Sequence, residues 1–271
     1  EMSASLVGSE MCIRDSIYYH LFDNGNHYQY IETEVSAIKN KIKVLSGAQL
    51  KYIAFLSMLI DHTNKALIYP NLNGGRLNTV SDIFDIIGRI AFPIFAFLLV
   101  EGFFKTRSRA KYLATLLVFG VISEVPFDLF TTKQFFEPNW NNIMFTLALV
   151  LVTIWMIDVL KKKMEKFPKI LWFLLSFVIL AVMCLIAAIL SLDYDYHAIL
   201  IGYFYYIFHG RELIAIPFNF LSMYKEPWAL LGFGLVLTYN GERGKQNKLI
   251  NYLFYPVHLL ILGLLRIYLG I

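Results

Sequence analysis

Asp61 and His62 stand side by side in SMLIDHTNK, residues 57 to 65, within an otherwise apolar stretch. An ionisable group in the middle of a bilayer costs about 2.5–3.5 kcal/mol on insertion scales, so one retained there marks a partner or a function. Helical neighbours diverge by about 100°, so the two side chains serve different partners. With His62 facing a cavity, its neutral imidazole can act as general base and take a proton from an attacking amine or hydroxyl. Glu124 or Asp128 can be the third group that orients it.

Other ionisable residues fall at the same depth. Counting at about 1.5 Å per residue from the outer ends of successive spans puts His62, Arg89 and Glu124 in one layer. Asp61 and Asp85 belong to it, with Asp128 one turn further out. Asp195 and His197 stand at the outer mouth of a later span, and His258 near the middle of the last. Convergence from distant parts of the chain favours a shared polar cavity. Blander readings compete with it. Asp85 and Arg89 are spaced i,i+4 and can neutralise each other, as can Glu101 and Lys105. Glu124 and Asp128 can supply counter-charges to Arg89. A lone intramembrane histidine such as His258 can simply tie helices together.

The elements that must position these groups follow from composition. Of 271 residues, 58% are hydrophobic and 16% charged, where soluble domains run near a quarter charged. This balance excludes an ordinary soluble enzyme, and a net charge of +4 gives no reason to expect a nucleic-acid partner. Cys12 and Cys184 are isolated, so neither a disulfide framework nor a metal site is expected. Apolar stretches of spanning character run near 48–69, 83–104, 110–130, 142–160, 170–192, 197–209, 212–224, 227–240 and 249–270. Those between 197 and 240 are short, and two long tilted helices or a re-entrant pair are alternatives there. The expected class is all-α, a polytopic transmembrane bundle of about nine spans (eight to ten).

Basic residues collect before 48, at 105–111, at 161–169, at Arg211 and at 243–248. With nine spans these segments share one side, which the positive-inside rule makes cytoplasmic, with the N-terminus inside. Their Lys and Arg side chains could also hold phosphates. No internal repeat is visible, which disfavours a proton-coupled transporter. Residues 1–44 form an extension unlike the rest. No signal-peptide pattern appears there, and SASLVGSEMCIRDS, residues 3 to 16, resembles a translated sequencing-adapter remnant. The spanning domain is expected at 45–271.

The segments KYIAFLSMLIDHTNKALIYP and DIIGRIAFPIFAFLLVEGFFKTRSRAKYLATLLVFGVISEVPFDLF resemble the TraX family. The resemblance continues through DYHAILIGY, LTYNGERGK and KLINYLFYPVHLLIL. The family takes its name from a conjugation protein that acetylates the pilin N-terminus. The resemblance implies a multi-pass acetyltransferase of the bacterial cytoplasmic membrane that uses acetyl-CoA as co-substrate. A more distant similarity to membrane acyltransferases of the acyltransferase-3 type implies a catalytic histidine late in the first span, where His62 lies. Carried over, these likenesses imply His62 as catalytic, with Asp61, Arg89, Glu124 and Asp128. Asp85, Glu101, Asp195, His197 and His258 would line the substrate cavity. Arg107, Arg109, Lys111, Arg243 and Lys245 would hold CoA, and Arg89 or another donor the oxyanion. His197 replaces an expected glycine. The acceptor is open among a pilin-like peptide, a glycan and a lipid headgroup. A non-catalytic assembly subunit for a pilus or surface polymer is the rival role.

Overall fold

The computed structural model describes residues 42–271. The adapter-like segment and the rest of the chain up to residue 41 lie outside the described residues. Among the described residues the fold is all-helical, with two isolated backbone bridges, Leu45 to Tyr239 and Asn141 to Leu192. Among the described residues ten α-helices follow in chain order; they overlap the nine apolar stretches, the one at 83–104 falling on a broken pair that begins earlier, at Arg76.

The first helix, α1 (Gly47–Thr63), starts on a capping box: Ser46 Oγ accepts the Gln49 N–H, and Gln49 Oε1 accepts the Ser46 N–H at 2.8 Å. It runs on into a π-helical turn at Asn64–Ile68 and a short 3-10 turn at Tyr69–Asn71. Helices α2 (Arg76–Gly88) and α3 (Ala91–Lys105) form one long rod broken at residues 89–90. The break is held on two sides. Ser57 Oγ donates to the Ile87 carbonyl at 2.6 Å. Gly88 meets α1 with no side chain of its own, where an added Cβ would lie 2.5 Å from Asp61 Oδ1. Packing of this closeness requires glycine.

Helices α4 (Arg109–Thr131), α5 (Ile143–Lys163) and α6 (Lys169–Ile189) follow, the first two capped by Ser108 and Asn142 side chains and the third opening after Pro168. Three short helices come next: α7 (Asp195–Ile207), α8 (Glu212–Ser222) and α9 (Ala229–Val236). The last, α10 (Lys248–Leu269), is capped by Asn247 and ends at the left-handed Gly270. It lies along α4, where Arg266 Nη1 donates to the Phe130 carbonyl at 2.8 Å and satisfies the end of that helix.

Among the described residues five helical segments are long and apolar enough to cross a membrane: Arg76–Lys105, Arg109–Thr131, Ile143–Lys163, Lys169–Ile189 and Leu249–Leu269; α1, expected as the first span, has 17 residues and is not one of them. The 197–240 region, expected to hold three spans, holds α7, α8 and α9 at 13, 11 and 8 residues. At about 1.5 Å per residue none matches a roughly 30 Å apolar core. They pack instead as shorter legs, α7 against α3, α5 and α6, and α9 against α3. Val121, Phe177, Leu185 and Ile261 project outward from the long helices and are exposed. Such an apolar exterior suits lipid.

The main core centres on Leu50, Phe97, Leu151, Ile154, Ile201 and Phe233. A smaller cluster of Ala66, Phe127, Phe130, Tyr255, Leu259 and Leu262 lies where α1, α4 and α10 meet. The bundle has a basic end, where the Gly47 N–H bonds the Glu242 carbonyl and Arg109 pairs with Asp158. At the far end the Asn141 and Asp193 backbones bond, and Arg89 reaches Glu226.

Candidate functional site

The last turn of α1 carries His62, and the middle of α10 carries His258. The structure joins them: His62 Nδ1 lies 2.8 Å from His258 Nε2. His258 Nδ1 lies 2.6 Å from the Phe254 carbonyl. A carbonyl only accepts, so His258 Nδ1 carries its proton and His258 Nε2 offers a lone pair. His62 Nδ1–H then donates to that lone pair. This leaves His62 Nε2 without a proton, as a free base. One backbone carbonyl thus fixes the tautomers of two imidazoles. The pair is packed between apolar groups, with the Phe130 ring centroid 5.0 Å from that of His62. A widened π turn begins at Asn64, two residues after His62, and such turns recur at functional sites.

Asp61 lies close to the free nitrogen: its Oδ2 is 3.9 Å from His62 Nε2. That is too long for a hydrogen bond but close enough to stabilise an imidazolium. The carboxylate bonds Lys65 Nζ at 2.7 Å, an i,i+4 pair. Arg89 Nη2 donates to Asp85 Oδ1 at 2.8 Å, as the spacing predicted, and Arg89 Nε lies 3.1 Å from Glu226 Oε2, off the N–H direction. Its charge, set between Asp85 and Glu226, ties the broken α2–α3 rod to the α8–α9 turn, while its buried Nε–H has no hydrogen-bond acceptor among the described residues.

Glu124 and Asp128 do not orient His62, contrary to the sequence expectation. Glu124 accepts a short hydrogen bond from Asn142 Nδ2. Asp128 is fully buried and accepts the Glu137 N–H at 2.9 Å. Both carboxylates hold the α4–α5 connection. The orienting group is His258, which the sequence reading placed only in the cavity wall. His197 Nδ1 donates to the Ser222 carbonyl at 2.6 Å and ties α7 to α8, so it is not brought to the histidine pair. Asp195 opens α7 with Oδ1 unpartnered among the described residues.

Asp193 in the turn before α7 was missed. Protein packed around it pushes its carboxyl up to about 6, while the Lys65 and Arg89 charges pull the other way and Asp61 adds to the rise. Those influences place it beside the far-end polar cluster. The turn is wound tightly: Ser191, Tyr194 and Asp195 all have positive φ. Thr146 Oγ1 holds it by donating to the Asp193 carbonyl at 2.8 Å. Non-glycine residues in this region are strained and cluster at functional sites.

A cavity of about 620 Å³ opens at the basic end. Lys51, Lys105, Arg107, Lys111 and Arg243 line it against a single carboxylate, Glu101. Lys105 is spent on Glu101 at 2.8 Å and Tyr239 at 2.6 Å, and Glu101 also bonds His209 at 2.7 Å. Lys51, Arg107, Lys111 and Arg243 have no carboxylate partner among the described residues. Such a set suits a polyanion. Arg109, expected with them, pairs instead with Asp158 at 2.6 Å and lies over the Phe103 ring. Lys245 also lies outside the lining. Lys51 was missed because it reads as part of an apolar span. Its position one turn into α1, close to the basic Lys41 and Lys43, was the available signal.

The deep wall of the cavity is apolar and includes Phe55, Phe95 and Phe119. Phe55 sits about two turns before His62 on the same face of α1. The cavity therefore points from the basic end toward the histidine pair.

Fold and site together define a helical multi-pass membrane protein with a histidine pair, His258 buried and His62 partly so, above a cationic cavity. The family described as TraX protein matches residues 46–266, and the chain belongs to the TraX family. It is also similar to the probable fimbrial assembly protein FimC, serogroup H1, of Dichelobacter nodosus, at 36% identity over 116 residues. That match covers 40% of this chain and 45% of the relative, so the chain spans under half of the curated relative's length. No solved structure matches the chain.

Proposed function

We propose that the protein is a membrane acetyltransferase that moves an acetyl group from acetyl-CoA to an amine or hydroxyl acceptor. The observation that carries this reading is the relay from the Phe254 carbonyl through His258 to His62, which leaves His62 Nε2 as a free base. The basic end faces the cytoplasm by the positive-inside rule, with the start of α1 inside. The phosphates of CoA meet Lys51, Arg107, Lys111 and Arg243, and the thioester extends along the apolar wall.

The acceptor enters from the far end, between Asp61, Lys65 and the Asp193 turn. His62 Nε2 takes the proton of the neutral amine or hydroxyl as its N or O bonds to the thioester carbonyl. Asp61 stabilises the imidazolium at 3.9 Å. The tetrahedral adduct collapses with cleavage of the C–S bond. His62 Nε2 then returns its proton to the thiolate, and CoA leaves as the free thiol.

The test is thiol release from acetyl-CoA by purified protein supplied with a peptide bearing a free N-terminal alanine, then with membrane extracts. Acceptor-dependent release supports the reading, and its absence with every acceptor opposes it. A second reading is favoured by the name of the fimbrial relative: a non-catalytic assembly subunit. On that reading His62→Ala leaves assembly intact.

A further inference from the structure

The cavity lining includes Phe55 but not Phe254, His62 or His258. Between the cavity and the imidazoles stands a column of stacked rings. Phe55 stacks on Phe254 with centroids 4.3 Å apart and planes 18° apart. Phe254 in turn stacks on His258 at 4.7 Å. Phe95 tilts against the cavity side of Phe55 at 5.7 Å. The two rings come from different helices, α1 and α10, and these are the helices that carry the two histidines. His258 stacks on His62 at 5.1 Å, so the Phe55–Phe254 pair stands between the cavity and the histidine pair.

We propose that the Phe55–Phe254 stack is an acyl gate that sets which acyl-CoA is used and keeps water from the thioester. The proposal rests on the acetyltransferase reading. Aromatic rings prefer offset stacking, and a stacked pair can part by rotation about χ1 and χ2 without moving either helix. A short acyl group needs only a narrow opening. A long one would have to displace Phe55, which is buried and held between Phe95 and Phe254. With no acceptor present, a closed stack blocks the wasteful reaction. In that reaction His62 would take a proton from water, oxygen would bond to the thioester carbonyl, and the C–S bond would break to give a carboxylic acid and CoA thiol.

The two phenylalanines are specificity-determining and positioning residues rather than catalytic ones. Phe254 also packs on His258, so its replacement would disturb the base itself. Phe55 is therefore the position to change. The experiment compares wild type, Phe55→Leu and Phe55→Trp in native membranes and in purified form, with acetyl-, butyryl- and octanoyl-CoA. Phe55→Leu is expected to raise acceptor-independent CoA release about tenfold, which is about 1.4 kcal/mol of barrier, and to admit butyryl-CoA. Phe55→Trp is expected to shift preference the other way, toward acetyl. A folding defect cannot move chain-length preference in opposite directions, so this pair separates a gate from a structural role. If wild type transfers acetyl groups in membranes and both variants keep its chain-length profile and its low hydrolysis, the gate is overturned while the acetyltransferase reading stands. If wild type spends no acetyl-CoA in membranes, that reading falls and the gate falls with it.

Discussion

Replacing His258 by alanine takes away the acceptor for the His62 Nδ1–H, now 2.8 Å from His258 Nε2. That donor would be left among Phe130 and its apolar neighbours. An orphaned buried donor costs about 1–3 kcal/mol. The relay would no longer hold the proton on Nδ1, so the ring could turn or adopt the other tautomer, and either removes the base from Nε2. Charged to the catalytic step, 1–3 kcal/mol is about a 5- to 150-fold loss in kcat. The KM for acetyl-CoA should not change, because the cations of the cavity are untouched. Glutamine at 258 reaches about as far as imidazole and keeps an acceptor oxygen, so His258→Gln should recover much of the loss. His62→Ala should cost more, about 10²–10⁴-fold, as loss of a general base does. The double variant should match His62→Ala alone, since a positioning residue has nothing left to position. The assay is CoA thiol release under saturating acetyl-CoA for all four variants. Wild-type kcat in His258→Ala, or additive losses in the double variant, would refute the relay.

Neutralising Arg107, Lys111 and Arg243 together as glutamine should raise the acetyl-CoA KM by about tenfold or more with kcat little changed, while Lys245→Gln should leave KM as it is; steady-state kinetics checks both. Gly88→Ala would put a Cβ 2.5 Å from Asp61 Oδ1, and overpacking of this kind should cost about 1–3 kcal/mol, seen as a lower melting temperature in detergent. Asp193 has its carboxyl raised to about 6 chiefly by burial, against an unfolded value near 3.9. Between those values the folded chain holds a proton that the unfolded chain has lost, so stability should fall as pH rises from about 4 to about 6 and then level off. Asp193→Asn should remove that slope and be more stable above pH 6 by about 1–2 kcal/mol, discounted for the solvent that still reaches the turn, as thermal melts across pH would report.

The helical rods were legible because hydrophobicity sets them, although the stretch at 83–104 became a broken pair beginning at Arg76 and the stretch at 48–69 left its α-helix at Thr63. Length decided what composition could not. Residues 197–240 are largely apolar, yet α7 to α9 are too short to cross unaided. In the site, His62 stood out because a histidine beside an aspartate is costly in an apolar helix. The local pairs Asp85–Arg89 and Glu101–Lys105 were legible from i,i+4 spacing and form at 2.8 Å. Tertiary choices were not legible. His258 lies 196 residues from His62 in sequence, and nothing local marks it as the partner. Arg109 looked like its neighbours Arg107 and Lys111, but only Arg109 meets a carboxylate from another helix, Asp158. Glu124 and Asp128 were at the right depth but are taken by Asn142 and the Glu137 backbone.

The most direct measurement of the central claim follows labelled acetyl from acetyl-CoA into membrane-bound material, with wild type and His62→Ala expressed to equal levels in native membranes. The account predicts label transfer and stoichiometric CoA release by wild type, and loss of both in His62→Ala at unchanged expression. Equal transfer by the two proteins, or none by wild type, would contradict it.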